Sequence, residues 1–394
     1  MAHISNVNTT PMGFAQAATL LNSMVSQATG KTSIAATTTA GFISQAQTLL
    51  LTGYDNVIGA ISQVLSKTLF SVRPYNAKFR GLQRDAVQWG NHVRKINFGS
   101  LDVEEDNRYN LTDGQSVDQQ TVRKPDILQT NFYSGDTYQN HYTIFRDQLD
   151  VAFSSPDEFM RFVSGITTEV SSHLEQYRET FARTTLANLI GATYNLGRVR
   201  HLVTEYATEM GIAAADHDTV MTTHLESFVK WVFAELRTLS DRFTERSLEY
   251  QTNITGHNIY RHTPKELQRL YIYSPFLNKI DAQVLSAVFN PNYLQMGDRE
   301  AVSYWQSIAT PDAVKVTPSQ IVAATGNYAA GNAVDLAPVL GILMDYEAAG
   351  ITQQHEWSSP APFNARGGYT NIWYHMDMRG WNDCTEKAVV LLLD

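Results

Sequence analysis

Apolar positions recur at three- and four-residue steps through one unusually long stretch of this chain, residues 155 to 191. Phe159, Val163, Ile166, Val170, Leu174, Tyr177, Phe181 and Leu189 form a continuous stripe, as along one face of a helix. Ser155 suits the N-cap and Pro156 the first helical position, and Glu158 completes a capping box. No proline interrupts the pattern, and Gly191 offers a stop. A helix of roughly 35 residues would be about 50 Å long. Such a rod predicts a scaffold that other elements cross, not a seat of chemistry.

The same reading predicts a second helix from about His224 to Glu245. Thr223 and Glu226 form its capping box, and Leu225, Phe228, Val232, Leu236, Leu239 and Phe243 its stripe. Gly197 to Asp218 between the two helices reads as a mixed connector. Leu270 to Tyr273 predicts a short strand, and Lys279 to Phe289 a helix ended by Asn290-Pro291. Residues 309 to 337 read as a long loop, and Val339 to Met344 as a buried strand. Tyr369 to Met378 alternates: Ile372, Tyr374, Met376 and Met378 face one way, Asn371, Trp373, His375 and Asp377 the other. The run Ala388 to Leu393 reads as a buried strand, too short to span a bilayer.

Ahead of the long helix, residues 87 to 150 look β-rich. Val93, Ile96 and Phe98 lead into the acidic segment Asp102 to Asp106, and Asp113-Gly114 is a hairpin-turn signal. Val117 to Val122 is the expected returning strand. A hairpin with so few apolar residues at its tip must lie on something, in this chain or in a neighbour. A hairpin, long helices, and strands mixed with a helix make the class α+β.

Residues 1 to 66 change the picture, because Lys31 and Asp55 are their only charged side chains. Two amphipathic patches, around Phe14 to Val25 and Phe42 to Leu65, are short candidate helices. So uncharged a segment predicts either an arm covering a surface elsewhere, on another subunit, or a loose tail. Over the whole chain, 30 Lys+Arg against 39 Asp+Glu leave a net charge of −9 and no basic stripe for gripping nucleic acid. The one cysteine, Cys384, excludes an internal disulfide. The N-terminus lacks the basic flank and apolar run of a signal peptide, so a soluble protein that stays where it is made is expected.

Candidate chemistry is sparse. Asp216-His217-Asp218 is the nearest approach to a metal cluster, but neighbours in one short loop rarely share an ion, and a solvated loop is the better reading. His257 and His262 are five residues apart, a spacing that does not place them together on one helical face. Glu104, Glu105 and Asp106 read as a solvated or intersubunit charge patch rather than acid–base catalysts. Cys384 beside Asp383 is poorly placed to be a nucleophile. There is no nucleotide-binding, nucleophile-elbow or zinc signature, so no catalytic residue, cofactor or metal is expected.

Three stretches carry a resemblance. The first is Tyr142-Thr143-Ile144, Asp147, Leu149, Ala152-Phe153, Ser155, Phe159 and Phe162-Val163-Ser164. The second is Asp281, Val284-Leu285, Ala287, Phe289-Asn290 and Asn292. The third is Asn364, Arg366-Gly367, Tyr369, Asn371, Tyr374-His375 and Ala388-Val389. In order and spacing over residues 140 to 394 they resemble the major capsid proteins of tailed double-stranded DNA phages, the phi-29-like group of short-tailed phages with the Hong Kong 97 (HK97-like) fold. The resemblance implies an N-terminal arm over residues 1–86, an extended loop hairpin over 87–150 and a peripheral domain with its spine helix over 151–254. An axial domain over 255–350 and C-terminal strands over 351–394 returning to the peripheral domain complete it. The chain stops after its last strand, so no immunoglobulin-like extra domain is expected.

The function so implied is a structural shell protein, not an enzyme. It would form pentamers and hexamers around packaged DNA, which it touches non-specifically, with scaffolding and portal proteins as partners and no membrane. Its place would be the virion capsid, after assembly in the bacterial host cytoplasm. Glu104, Glu105, Asp106 and Arg108 are the candidate intersubunit contacts. The rivals are an encapsulin-type compartment, a portal or tail component, and a metal-dependent enzyme using Asp216, His217 and Asp218.

Overall fold

The computed structural model describes residues 13–30, 36–53, 56–57, 59–60, 77–84, 93–99, 106, 108–117, 120, 122–124, 127–133, 135–153, 155–212, 216–257, 259–283 and 298–394. Its organising element is helix α4, Pro156–Asn195, 40 residues long. Ser155 caps it, its Oγ accepting the Glu158 N–H at 3.2 Å, and Pro156 occupies the first turn. The helix outruns the expected stop by four residues. Gly191 lies inside it, where a Cβ would come within 2.6 Å of Val316 Cγ1 and 3.1 Å of Val334 Cγ2. That glycine serves close approach to neighbouring strands; Gly197, at φ +73°, turns the chain after the helix.

Two helices precede this rod, α1 (Phe14–Thr29) and α2 (Thr39–Leu50). They do not reach away from the body. Leu21, Met24, Phe42 and Leu49 are buried with Phe159 and Ile166 of α4, with Phe153 after helix α3 (Arg146–Ala152), and with Ile144 and Ile372. The Phe42 ring meets Phe159 edge-on at 5.7 Å, and Phe153 stacks on Phe159 at 5.4 Å. The low charge of this segment thus has a partner surface within the same chain, on the first half of the rod. The stretch 77–84 is also built in: Ala77 and Lys78 donate their N–H groups to Glu175 and Glu179 of α4, both at 3.3 Å.

The second half of α4 packs Phe181, Leu186, Leu189 and Ile190 against sheet residues. A five-stranded sheet runs β4 (Val199–His201), β14 (Ala388–Leu392), β11 (Val339–Asp345), β5 (Gln268–Tyr273), β6 (Asp298–Val302). The β14–β11 and β11–β5 pairs are antiparallel; β4–β14 and β5–β6 are parallel. Ile342, Met344 and Val390 turn toward α4, while Leu343, Val389 and Leu391 turn to the opposite side. There α5 (Leu202–Met210), α6 (His217–Thr223), α7 (Leu225–Thr244) and α8 (Ser274–Gln283) supply Tyr206, Val220, Phe228, Val232, Leu239, Phe243 and Phe276. Covering on both faces explains why Ala388 to Leu392 is apolar without alternation.

A second, three-stranded antiparallel sheet has the order β12 (Ala349–Pro360), β13 (Tyr369–Asn382), β3 (Gly135–Phe145). The alternation expected in β13 is present: Ile372, Met376 and Met378 are buried, and Trp373 pairs across to His141 on the other face. Short pairs β7 (Val314–Val316) with β10 (Val334–Leu336), and β8 (Ser319–Ile321) with β9 (Tyr328–Ala330), occupy what the sequence predicts as loop. Runs of three residues are too short for a period of two to stand out from their Ala- and Thr-rich surroundings.

Other boundaries move for local reasons. Residues 197–218, read as a connector, contain β4, α5 and the start of α6. Helix α7 begins one residue late, with His224 as a cap that makes no side-chain bond; Glu226 instead binds Lys230 at 2.6 Å. Helix α8 starts at Ser274, and residues 284–289 of the expected helix lie outside the described residues. The ladders tie 199–201 and 388–392 to strands from 268–345, so hydrogen-bonded pairing crosses the boundaries expected near 254 and 350.

Candidate assembly surface

Strands β1 (Val93–Phe98) and β2 (Ile127–Phe132) pair antiparallel, Ile96 opposite Gln129 and Phe98 opposite Ile127. The expected returning strand at Val117–Val122 is not one: described residues 117, 120 and 122 lie outside any strand, and the return comes at Ile127. The Asp113-Gly114 turn is present, with Gln115 N–H donating to Thr112 O at 3.0 Å and Gly114 at φ +87°. It bends the excursion between the strands rather than closing the ladder.

The apolar side chains of the ribbon are divided between its faces: Val93, Leu128 and Phe132 turn inward, and a second set turns outward. Ile96, Phe98 and Ile127 share one face and are 47%, 66% and 64% exposed. Tyr109, Leu111, Val117 and Val122 in the excursion are exposed as well. Lys95, from the opposite face, has its ammonium 2.9 Å from Asp383 and from Glu347, and in contact with Glu386. Arg261 reaches Glu386 at 3.0 Å, so two cations meet two buried carboxylates. Burial acts against the Lys95 ammonium, but Asp383, Glu386 and Glu347 outweigh it and hold its pKa above the ordinary lysine value. Burial likewise opposes the Asp383 carboxylate, yet Lys95 and the Thr385 hydrogen bonds keep its pKa below the ordinary value.

Of the four charged residues expected at subunit contacts, Asp106 and Arg108 are exposed and bound to each other at 2.5 Å. Glu104 and Glu105 lie outside the described residues. Ile96, Phe98 and Ile127 on the outward face are not among the contacts that the charge pattern predicts. The signal was available: Ile96 and Phe98 alternate with Lys95 and Asn97, but nothing in the sequence says which set turns inward.

The candidate catalytic groups are structural. Asp216 caps α6, its carboxylate accepting the Thr219 N–H at 2.7 Å, and hydrogen bonding from the Thr219 side chain and then its N–H lowers the carboxyl pKa. His217 Nδ1 lies 3.1 Å from Asp218, and among the described residues no three His, Cys, Asp or Glu side chains are grouped to hold a metal. His257 is half-buried and His262 exposed. Cys384 is buried, and burial, more than Asp383, pushes its thiol up. A cleft of about 360 Å³ between β2, α4 and β13 is lined by Asn131, Asp136, Thr184, Asn188, Trp381 and Asn382, among others. Its carboxylate, Asp136, accepts the Tyr138 hydroxyl at 3.2 Å, and the residues lining the cleft include no His, Lys or Arg. No described helix is long and apolar enough to cross a membrane.

The Phi29-like phage major capsid protein family matches residues 21–392. The chain belongs to that family. A capsid structure of Staphylococcus phage Andhra is similar over 83% of this chain and 86% of the other, at TM-score 0.55 and 8% identity. A chain in the structure of the head fiber and inner core protein gp22 of native bacteriophage P68 is similar over 83% and 87%, at TM-score 0.51 and 9% identity. No curated protein matches the sequence. The α+β architecture is of the HK97-like type, and this is a structural, non-enzymatic capsid protein of the virion, built to associate with itself in a shell.

Proposed function

We propose that this capsid protein forms pentamers and hexamers that close into an icosahedral or prolate head around double-stranded DNA. The observation carrying this reading is the hairpin's outward face, where three large apolar side chains, Ile96, Phe98 and Ile127, lie in solvent on a two-stranded ribbon. A patch of that kind marks a protein contact. A hairpin that seats on a different surface of the next copy makes a heterologous contact, which closes rings. The charges at its tip, Glu104, Glu105, Asp106 and Arg108, would join the same contact. The five-stranded sheet with α5 to α8 would be the axial unit. Helix α4, its two covering helices and the three-stranded sheet would be the peripheral one.

The acidic balance suits an inner wall that lets packed DNA slide without sticking. Scaffolding and portal proteins would be the assembly partners in the host cytoplasm. The test is purification of the protein from the infected host, followed by size-exclusion chromatography, negative-stain imaging and nuclease treatment. Shell-sized particles protecting DNA are expected in the infected host. Particles enclosing a protein cargo would instead support an encapsulin-type compartment, and single rings a portal-like component. Phe98→Asp should abolish particles while leaving the subunit's melting temperature unchanged; normal particles from it would sink the hairpin reading.

A further inference from the structure

We propose that Lys95 is a positioning residue for assembly, whose buried ion pairs select which face of the β1–β2 hairpin is offered to a second copy. This rests on the reading of the hairpin as a subunit contact. A two-stranded ribbon can lie on a body by either face, and turning it over exchanges every side chain between inside and outside. Apolar burial does not choose between the faces, because Ile96, Phe98 and Ile127 lie on one and Val93, Leu128 and Phe132 on the other. The face that carries Lys95 is the one turned inward.

What decides between the two faces is the fully buried Asp383. This carboxylate sits in the turn between β13 and β14, where Thr385 donates its N–H at 2.9 Å and its hydroxyl at 2.6 Å. Glu386 beside it is shared between Lys95 and Arg261. With the ribbon turned over, one buried negative charge loses its cation, and a buried charge without a partner is among the costliest features a fold can hold. The inward apolar contacts do not settle the choice, since a set of similar size faces outward. Phe132 packs against Tyr328 at 5.9 Å and Leu128 against the cluster of Ile254, Ile321 and Cys384. Asn97 on the same inward face has a buried amide nitrogen with no hydrogen-bond partner.

The experiment reads the face directly. Phe98→Cys places a thiol on the outward face of a chain whose own single cysteine is buried. In unassembled subunits it should react rapidly with a maleimide. Adding Lys95→Met together with Asp383→Asn removes one cation and one carboxylate and leaves Glu386 paired with Arg261. Labelling should then slow by about tenfold or more, as a reversed preference between two states requires. The same double variant with Phe98 restored should lose particles in similar measure, and Lys95→Arg should keep both properties. If the neutral double variant does not fold, the charge swap Lys95→Asp with Asp383→Lys should keep labelling fast. Unchanged labelling in a folded neutral variant, or slow labelling in a folded swap variant, overturns the proposal. Labelling needs no shell, so normal particles from Phe98→Asp would sink the assembly reading and leave this result standing.

Discussion

At the scale of single residues, two glycines in one helix should respond in opposite directions. Gly165 and Gly191 both lie in α4, and replacing a helical glycine by alanine gains about 1 kcal/mol of propensity. At exposed Gly165 a Cβ meets nothing within 4 Å, so Gly165→Ala should stabilise the subunit by about 0.5–1 kcal/mol. At Gly191 the new carbon meets Val316 at 2.6 Å, and overpacking costs about 1–3 kcal/mol, which outweighs the propensity. Gly191→Ala should therefore lower the denaturation midpoint; a rise would mean the β7 and β10 strands yield easily.

The ionic cluster carries its own residue-scale prediction. A carboxylate whose pKa is lower in the folded than in the unfolded state stabilises above its ordinary value and loses that contribution as pH falls through the folded value. For Asp383 the ordinary value is 3.8, so the loss should come below about pH 4. Lys95, shifted upward, contributes at neutral pH and loses its share only as pH rises beyond the ordinary 10.5. Melting temperatures between pH 5 and 3 should fall less steeply in Asp383→Asn than in the parent, with equal slopes counting against the assignment.

At the scale of elements, α4 is one helix with two cores. Its apolar stripe runs unbroken in sequence, but no single layer covers all of it. Phe181 to Ile190 meet sheet residues, whereas Phe159 and Ile166 are covered mainly by α1 and α2. Phe42→Ala should cost about 3–5 kcal/mol locally. It should speed amide exchange over residues 156–170 and spare 181–195. Uniform acceleration along the rod would show a single cooperative unit instead. Phe181→Ala should cost a similar amount, about 3–5 kcal/mol, read as a lowered unfolding midpoint of the subunit and not merely as lost assembly.

At the scale of the whole molecule, the buried clusters and the proposed assembly contact are different surfaces. The three main buried clusters hold the subunit together, while the hairpin's outward face contributes nothing to them. Reversing Glu104 and Glu105 to lysine should accordingly block particle formation with the monomer still folded, as judged by electron microscopy and circular dichroism. Normal particles would remove the tip charges from the contact.

The elements were legible where they are long and periodic: α4, α7, β11, β13 and β14 follow from spacing and caps, because side-chain period and backbone geometry are locally linked. The three-residue strands between 314 and 336 were not, since their pairing rests on non-local contact. The charged tip was legible as a candidate contact, and the apolar face was not. Alternation along β1 establishes that Lys95 and Ile96 point opposite ways. Only the fold, by bringing Asp383 and Glu386 from nearly three hundred residues downstream, decides that the lysine goes in and the isoleucine stays out. Periodicity belongs to the chain; which side of it meets water is set by what the rest of the chain places there.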